Sequence, residues 1–152
     1  RVARIGAALG GQYLWLEAVV ADCSSEPEYL SRIVEDAVAY AAREKELMER
    51  WGKKLSDLLR SGPIAIWGAG AKGATFVNLL DQDRSRIRCV VDLNPKKQGG
   101  FIPGTGHPII PPGRITEFEI ESAGLMNPNY TAEVKTILSE AGIQLELIEV
   151  VT

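Results

Sequence analysis

Apolar and polar positions change their spacing along the chain, and the changes predict three zones. Between Tyr13 and Ala21, aromatic and β-branched residues alternate with others, which predicts a strand. From Leu30 to Leu59, apolar residues recur three or four positions apart, which predicts a long helix. From Pro63 to Thr152, short apolar runs alternate with segments of helical spacing. That alternation is typical of parallel strands joined by crossover helices.

The long helix has a start signal and a stop signal. Ser25-Glu26-Pro27-Glu28 is a capping-box pattern, in which the Ser hydroxyl accepts the Glu28 amide and Glu28 reaches back. Ser61-Gly62-Pro63 ends the helical spacing, so the helix could reach about 50 Å. Residues 43–54 are heavily charged. Two interpretations stay open: a helix with one solvated and one core face, or an arm that packs between domains.

The third zone predicts a sequence of strands and helices. We expect strands at Ile64 to Trp67, Ile87 to Val91, Phe118 to Leu125 and Ile143 to Ile148, helices at Lys72 to Leu80 and Asn129 to Ala141, and a Gly/Pro-rich loop from Leu93 to Arg114. The predicted fold class is therefore α/β, with a Rossmann-like, doubly wound and mostly parallel sheet and a long N-terminal helix.

A glycine loop lies between the first strand of this zone and its helix. Gly68-Ala69-Gly70-Ala71-Lys72-Gly73 has the spacing G-x-G-x-x-G, in the strand-to-helix context that gives the motif meaning. Gly68 can make the tight turn, Gly70 lets the backbone approach a ligand, and Gly73 lets the helix pack close to the strand. The free amides at the helix start favour a phosphate, and Lys72 could add a cation beside it.

Asp92 ends the second strand, nineteen positions after Gly73. An acid at this place can accept hydrogen bonds from ribose hydroxyls. Asp92 can equally be a turn residue of Asp92-Leu93-Asn94-Pro95. Both interpretations stay open.

The loop that follows, Asn94 to Pro108, is long for a connection after a parallel strand, which is where α/β sheets build ligand sites. Its polar residues include Lys97, Gln98 and the only histidine, His107. His107 could be a general acid or base, but no carboxylate or nucleophile lies beside it in sequence. A binding contact or a plain turn residue is the preferred interpretation.

Composition narrows the class of protein. The 152 residues fit one domain, and the formal net charge of -3 does not favour nucleic acid or an acidic membrane surface as a partner. No segment approaches the roughly 20 apolar residues that span a bilayer. Two separate cysteines, Cys23 and Cys89, form neither a disulfide framework nor a metal site, so we expect a cytoplasmic protein. Because the chain begins at Arg1, we expect a fragment of a longer protein.

Ordered motifs resemble the C-terminal domain of the sugar C-methyltransferase family. The glycine loop with Thr75 and Asn78 is similar to the family's G-A-P-A-K-G-N-T-L-L-N, although Gly70 replaces the proline. The segment from Val91 to Gly99 is similar to V-D-R-N-P-Y-K-Q-G. Further matches are Phe101 to Thr105 with L-P-G-T, Pro108-Ile109 with I-P-I, Asn127 to Val134 with W-N-L-K-D-E-I, and Gly10-Gly11 with H-G-G-S, where Leu9 and Gln12 depart from the pattern.

The resemblance implies a part of a larger enzyme. The family transfers a methyl group from S-adenosylmethionine to a ring carbon of a nucleotide-linked keto-deoxysugar. It does so with a zinc-binding module and a methyl-transfer domain that this sequence lacks. The chain would then bind no cofactor of its own and have no catalytic residue, and would hold a dTDP- or UDP-linked sugar for the missing domain. The implied domains are a strand at 1–22 that leads in from upstream, a long helix at 23–62, and a nucleotide-binding region at 63–152.

The predicted nucleotide-binding residues all lie in the two loops: Gly68, Gly70, Lys72, Gly73, Asp92, Asn94, Lys97, Gln98, Gly99 and His107. Two other functions fit parts of the sequence. The loop and Asp92 also suit an NAD-binding domain of an oxidoreductase or a sensor, although hydride transfer needs a second substrate-holding element. A non-catalytic interaction module, with the long helix as its surface, is the third possibility.

Overall fold

The computed structural model describes residues 1–8, 10–11, 13–20 and 32–150. The chain forms two compact units, residues 1–42 and 43–152. The predicted capping box at Ser25 to Glu28 and the thiol of Cys23 lie outside the described residues. Among the described helices, none combines the length and the apolar character that crossing a membrane requires.

The first unit contains an antiparallel hairpin of strand β1 (Val2–Ala8) and strand β2 (Tyr13–Ala18). Its turn includes Gly10 and Gly11, which both have positive φ angles that glycine adopts without steric cost. The predicted strand at Tyr13 is therefore present and ends at Ala18, but its partner β1 was not predicted. Apolar side chains on the hairpin are exposed, among them Trp15.

Helix α1 (Ile33–Leu58) begins in the first unit and ends in the second. Its last turns pack on the core, where Trp51 and Leu55 are buried and Leu47, Leu58 and Leu59 are half-buried. Residues 33–46 are exposed on all sides. The spacing of apolar residues thus predicts the helix correctly, but the apolar face of its first half is not covered by any described residue.

The second unit is built on a five-stranded parallel sheet. Its strands are β3 (Ile64–Trp67), β4 (Ile87–Val91), β5 (Ile109–Ile110), β6 (Ser122–Leu125) and β7 (Glu146–Glu149). Their order across the sheet is β5-β4-β3-β6-β7, and every neighbouring pair is parallel. Helices α2 (Ala71–Leu80) and α3 (Thr131–Glu140) connect strands of this sheet.

Two hydrophobic clusters cover the two faces of the sheet. One joins Ile66 and Val90 to α1 and α2 through Trp51 and Phe76, whose rings meet edge to face at 5.4 Å. The other joins strand residues such as Trp67 to α3 through Val134 and Leu138. Because consecutive strand residues point to opposite faces, the apolar runs of β3 and β4 supply both clusters. The predicted doubly wound α/β fold is confirmed.

The segment predicted as one loop from Leu93 to Arg114 has more structure than expected. It contains β5, and a 3₁₀ helix at Pro112–Phe118 follows, in the region where we expected a strand to begin. Residues 99–102 also run against residues 107–109 through hydrogen bonds such as Ile102 N–H to the His107 carbonyl, 2.9 Å. The predicted Gly/Pro-rich loop therefore contains a strand that was not predicted, because pairing with β4 orders a segment that has no strand-like pattern of its own.

Candidate functional site

The strand order of the sheet places a crevice beside β3. From β3 the chain moves outward to β4 and β5, and it then returns to β6 on the other side of β3. In open α/β sheets, ligands bind at the carboxyl ends of the strands where the order reverses in this way. The glycine loop follows β3 at this point, and the segment Met126-Asn127 follows β6.

Two glycines give the loop its shape. Gly68 has a φ of 112°, and its amide donates to the Val91 carbonyl at 2.7 Å, so the chain turns sharply at the end of β3. A Cβ atom on Gly73 would overlap the Gly68 carbonyl oxygen. Gly73 therefore lets the first turn of α2 lie directly against the turn that precedes it.

The start of α2 is open at Gly70, its N-cap residue. Gly70 has extended backbone angles, φ -85° and ψ -173°, and no side chain among the described residues caps the helix. A Cβ atom built on Gly70 would have no described heavy atom within 4 Å, chain neighbours and the helix's own backbone aside. Lys72, on the first turn, is exposed. The helix thus presents uncapped amides and its positive dipole end to unfilled space.

Asp92 ties the two loops together. One of its carboxylate oxygens accepts the Ala69 amide at 2.7 Å and the Lys97 ammonium at 3.2 Å. The other accepts the Asn94 amide at 2.8 Å, as in an Asx turn. The side chain is largely buried, so these charge-assisted bonds hold the glycine loop to the second loop. The turn interpretation of Asp92 therefore describes contacts that the structure contains.

The neighbouring polar residues of the second loop are held in place by further bonds. Lys97 also donates to the Ala69 carbonyl at 3.1 Å, and Gln98 donates to the Asp92 carbonyl at 2.9 Å. Asn94 accepts the Lys96 amide at 3.0 Å. Gly99, with a φ of 79°, donates to the Ile109 carbonyl. The structure thus brings together nine of the ten predicted residues, all except His107.

His107 lies elsewhere, in a buried network at the other end of α2. Its Nε2 atom is 2.9 Å from a carboxylate oxygen of Asp81, the C-cap residue, and its Nδ1 atom is 2.8 Å from the Thr105 hydroxyl. Both His107 and Asp81 are almost fully buried. The length of α2 puts Asp81 about 15 Å from the glycine loop. The structure therefore gives His107 a packing role away from the other predicted residues.

Asp81 makes further hydrogen bonds in the same network. Its carboxylate also accepts the amides of Ser85, Arg86 and Ile87 at 2.9, 3.0 and 2.8 Å. These bonds hold the turn that leads from α2 into β4. Sequence reasoning missed Asp81 because its imidazole partner lies 26 positions away.

The Pro103-Gly104-Thr105 motif docks on α2. Asn78 donates to the Pro103 carbonyl at 3.0 Å, and a Cβ atom on Gly104 would overlap the Asn78 side chain. Gly104 has a φ of 95°, which also favours glycine. This motif and Asn78, two marks of the family resemblance, therefore serve the packing of the second loop.

Asn127 was not predicted as a site residue, although it lies at the crevice. Its side chain accepts the Asn129 amide at 3.2 Å and caps a 3₁₀ helix at Pro128–Tyr130. The preceding residue, Met126, would be 3.5 Å from a Cβ atom on Gly73. The sequence does contain a signal for Asn127, because the residue follows shortly after a predicted buried strand. That signal was not used in the sequence analysis.

Two further observations concern nucleophilic groups and metal binding. Cys89 is fully buried on β4, and burial raises the pKa of its thiol to about 12, so it is not a nucleophile at neutral pH. Among the described residues, no group of three or more His, Cys, Asp or Glu side chains is placed to bind a metal ion.

Comparison with known proteins gives one family match. The sequence model of the family described as the C-methyltransferase C-terminal domain matches residues 17–151, which is most of the chain. No curated protein sequence matches.

Solved structures give distant matches. One is the crystal structure of RSP, a Rex-family repressor, with a TM-score of 0.42 and 19% sequence identity over 59% of this chain and 46% of that chain. Another is RSP in complex with β-NAD⁺ and operator DNA, with a TM-score of 0.42 and 21% identity over 58% of this chain and 50% of that one. The chain thus spans about half the length of these structures.

Proposed function

We propose, because the chain belongs to the C-methyltransferase C-terminal domain family, that it is the part of such an enzyme that holds the substrate. The proposed substrate is a deoxysugar linked to dTDP or UDP. The proposed partner is a methyl-transfer domain, which would use S-adenosylmethionine to methylate a carbon of the sugar ring.

One observation carries the proposal: the open start of α2 at the switch point of the sheet. The diphosphate would lie in front of Gly70, where the helix start is uncapped and a Cβ atom would meet nothing. Helix amides and the positive end of the dipole favour an anion at such a place. S-adenosylmethionine carries no phosphate, so a helix start that favours a phosphate offers it less than it offers a nucleoside diphosphate.

Two lysines would complement the charge of the diphosphate. Lys72 lies on the first turn of α2 and is exposed. Lys97 keeps 38% of its side chain exposed while it bridges Asp92 and the Ala69 carbonyl. An ammonium group has three donors, so one N–H of Lys97 is left for a phosphate oxygen.

The hydrogen bonds of the Asp92 carboxylate favour a nucleotide-linked sugar over NAD as the ligand. Its carboxylate has about four acceptor sites, and three donors from the protein already use it. Too few acceptor sites are left for it to accept both hydroxyls of an adenosine ribose in the way typical of NAD-binding domains. We assign Asp92 to positioning the glycine loop and Lys97.

The chain would contribute binding and orientation to catalysis. Holding the nucleotide fixes the position of the attached sugar, and correct placement of two reactants lowers a reaction barrier substantially. The sugar ring of the bound ligand would then face the methyl-transfer domain. Within this proposal, no residue of the chain transfers a proton or a methyl group.

Calorimetric titration with dTDP, UDP, NAD and S-adenosylmethionine tests the proposal. We expect dTDP or UDP to bind, and NAD and S-adenosylmethionine not to bind. Gly70→Val should abolish binding, because its side chain fills the space in front of the helix. The matched control is Gly113→Val, at an exposed glycine whose Cβ position is equally open, and it should bind normally. Preference for NAD, or undiminished affinity in Gly70→Val, would overturn the proposal.

A further inference from the structure

A second cleft lies at the opposite end of the strands from the glycine loop. It has a volume of about 380 Å³ and lies between the segment after α1 and the turn that enters β4. Its lining residues include Leu59 and Pro63 from the first segment and Arg84, Ser85, Arg86 and Arg88 from the second. The glycine loop follows the carboxyl end of β3, whereas this cleft lies at the amino ends of β3 and β4. The two places are therefore separated by the length of the strands.

The cleft concentrates positive charge. Three of its described lining residues are arginines and none is an acid, although the exposed side chain of Glu121 lies beside the lining residue Gly62. Within the described parts of the chain, none of the three arginines has a carboxylate within ion-pair distance. Asp83 lies next to Arg84 in the chain, but its carboxylate bonds to the Ser85 hydroxyl at 2.8 Å. The cleft thus keeps an excess of positive charge on a protein whose net charge is negative.

Arg86 is the least usual of the three. It is half-buried, and the one hydrogen bond of its guanidinium to a described residue is a long contact of 3.4 Å to the Leu80 carbonyl. Leu80 ends α2, so the negative end of the helix dipole partly compensates this half-buried charge, but no carboxylate among the described residues serves as its partner. An anion in the cleft would supply that partner.

The backbone around the arginines is held firmly. The Asp81 carboxylate accepts the amides of Ser85 and Arg86 from the protein interior. Arg88 is the exposed residue within an otherwise buried strand β4. The guanidinium groups of Arg86 and Arg88 are therefore attached to a fixed turn and a fixed strand.

We propose that this cleft is a binding site for a small molecule that carries phosphate groups, separate from the glycine loop. Guanidinium groups bind phosphate oxygens through paired, charge-assisted hydrogen bonds. The volume lies in the lower part of the range of small-molecule pockets, which favours a compact ligand over a polypeptide segment. The proposal goes beyond the proposed function and does not depend on it.

Inorganic pyrophosphate is the probe, and the full chain is titrated calorimetrically. The chain carries Gly70→Val, so that the glycine loop does not contribute a second site. We expect pyrophosphate to bind to this protein. The added pair Arg84→Gln and Arg88→Gln should weaken binding about tenfold or more, because two charge-assisted contacts are lost. The matched control is Arg43→Gln with Arg50→Gln, which removes the same charge from exposed positions of α1.

Amide chemical shifts measured by NMR during the same titration give an independent readout. We expect the largest shifts at residues 84–88. No measurable binding would overturn the proposal. Equal weakening by the two pairs of substitutions would also overturn it, since that result means attraction to surface charge in general. An acidic peptide that binds while pyrophosphate does not would identify a protein-docking surface instead. Circular dichroism would verify that each variant is folded.

Discussion

His107 contributes to the structure through both ring nitrogens. They contact the Thr105 hydroxyl and the Asp81 carboxylate, and the ring is fully buried. Asp81 in turn accepts three backbone amides of the turn before β4. Buried polar groups in a satisfied network are costly to disrupt, because each group that loses its partner is left without water.

We therefore expect His107→Ala to lower the free energy of unfolding by about 2–4 kcal/mol, from the lost bonds and the cavity. Urea denaturation measures it, and Lys135→Gln on the exposed surface of α3 should change the value by less than about 0.5 kcal/mol. Nucleotide affinity of the folded variant should be unchanged. A stable His107→Ala variant with lost affinity would contradict this role.

Cys89 provides a prediction about pH. Burial raises the pKa of its thiol from 9.0 to about 12, so the reactive thiolate does not form as pH rises through the usual range. In a Cys23→Ser background, we expect alkylation of the native protein to stay slow between pH 7 and pH 10. In urea, the same thiol should react faster as pH rises through about 8.5. A native-state rate that rises in the same way would contradict the assigned burial.

At the residue scale, sequence predicts single environments better than pairings. The apolar run from Ile87 to Val91, which predicts a strand, also accounts for the burial of Cys89, because burial follows from the local pattern. The role of His107 could not be predicted, since it depends on Asp81 from another element. For Asp92, turn chemistry pointed to the bond with Asn94, whereas its bonds to Ala69 and Lys97 required the arrangement of two loops.

At the element scale, the first turn of α2 is fixed by the absence of one side chain. A Cβ atom on Gly73 would overlap the Gly68 carbonyl oxygen, which belongs to the backbone and cannot move aside without shifting the helix. We expect Gly73→Ala to lower the free energy of unfolding by about 1–3 kcal/mol, as overpacking does.

Gly70→Ser is the matched control for Gly73→Ala. Its Cβ position is open, and its extended backbone suits a serine N-cap. Gly70→Ser should therefore leave the urea midpoint unchanged or raise it slightly. If both substitutions destabilise equally, close packing at Gly73 is not the reason for its glycine.

Elements with a clear apolar pattern could be predicted, and those without one could not. Helices α1, α2 and α3 and strands β3, β4 and β6 each have an apolar pattern long enough to identify them. The two-residue strand β5 has none, and it forms because Val90 and Val91 offer a free strand edge. The hairpin strand β1 was missed for another reason: its apolar residues do not alternate regularly.

At the scale of the whole molecule, the order of the strands determines where the candidate site lies. The predicted doubly wound sheet implies a reversal of strand order, and the structure shows β6 as the neighbour of β3 at that reversal. That neighbour creates the switch point and brings Met126-Asn127 to the glycine loop. The five parallel strands thus assemble a site from segments that are about 60 positions apart.

NMR amide shifts measured during titration with dTDP test the central claim, that open amides at the start of α2 receive a diphosphate. We predict the largest shifts at Ala71, Lys72 and Gly73, with smaller shifts around Lys97, and we predict none of them in Gly70→Val. Saturable binding of dTDP that leaves the amides of residues 70–73 unchanged would contradict the claim.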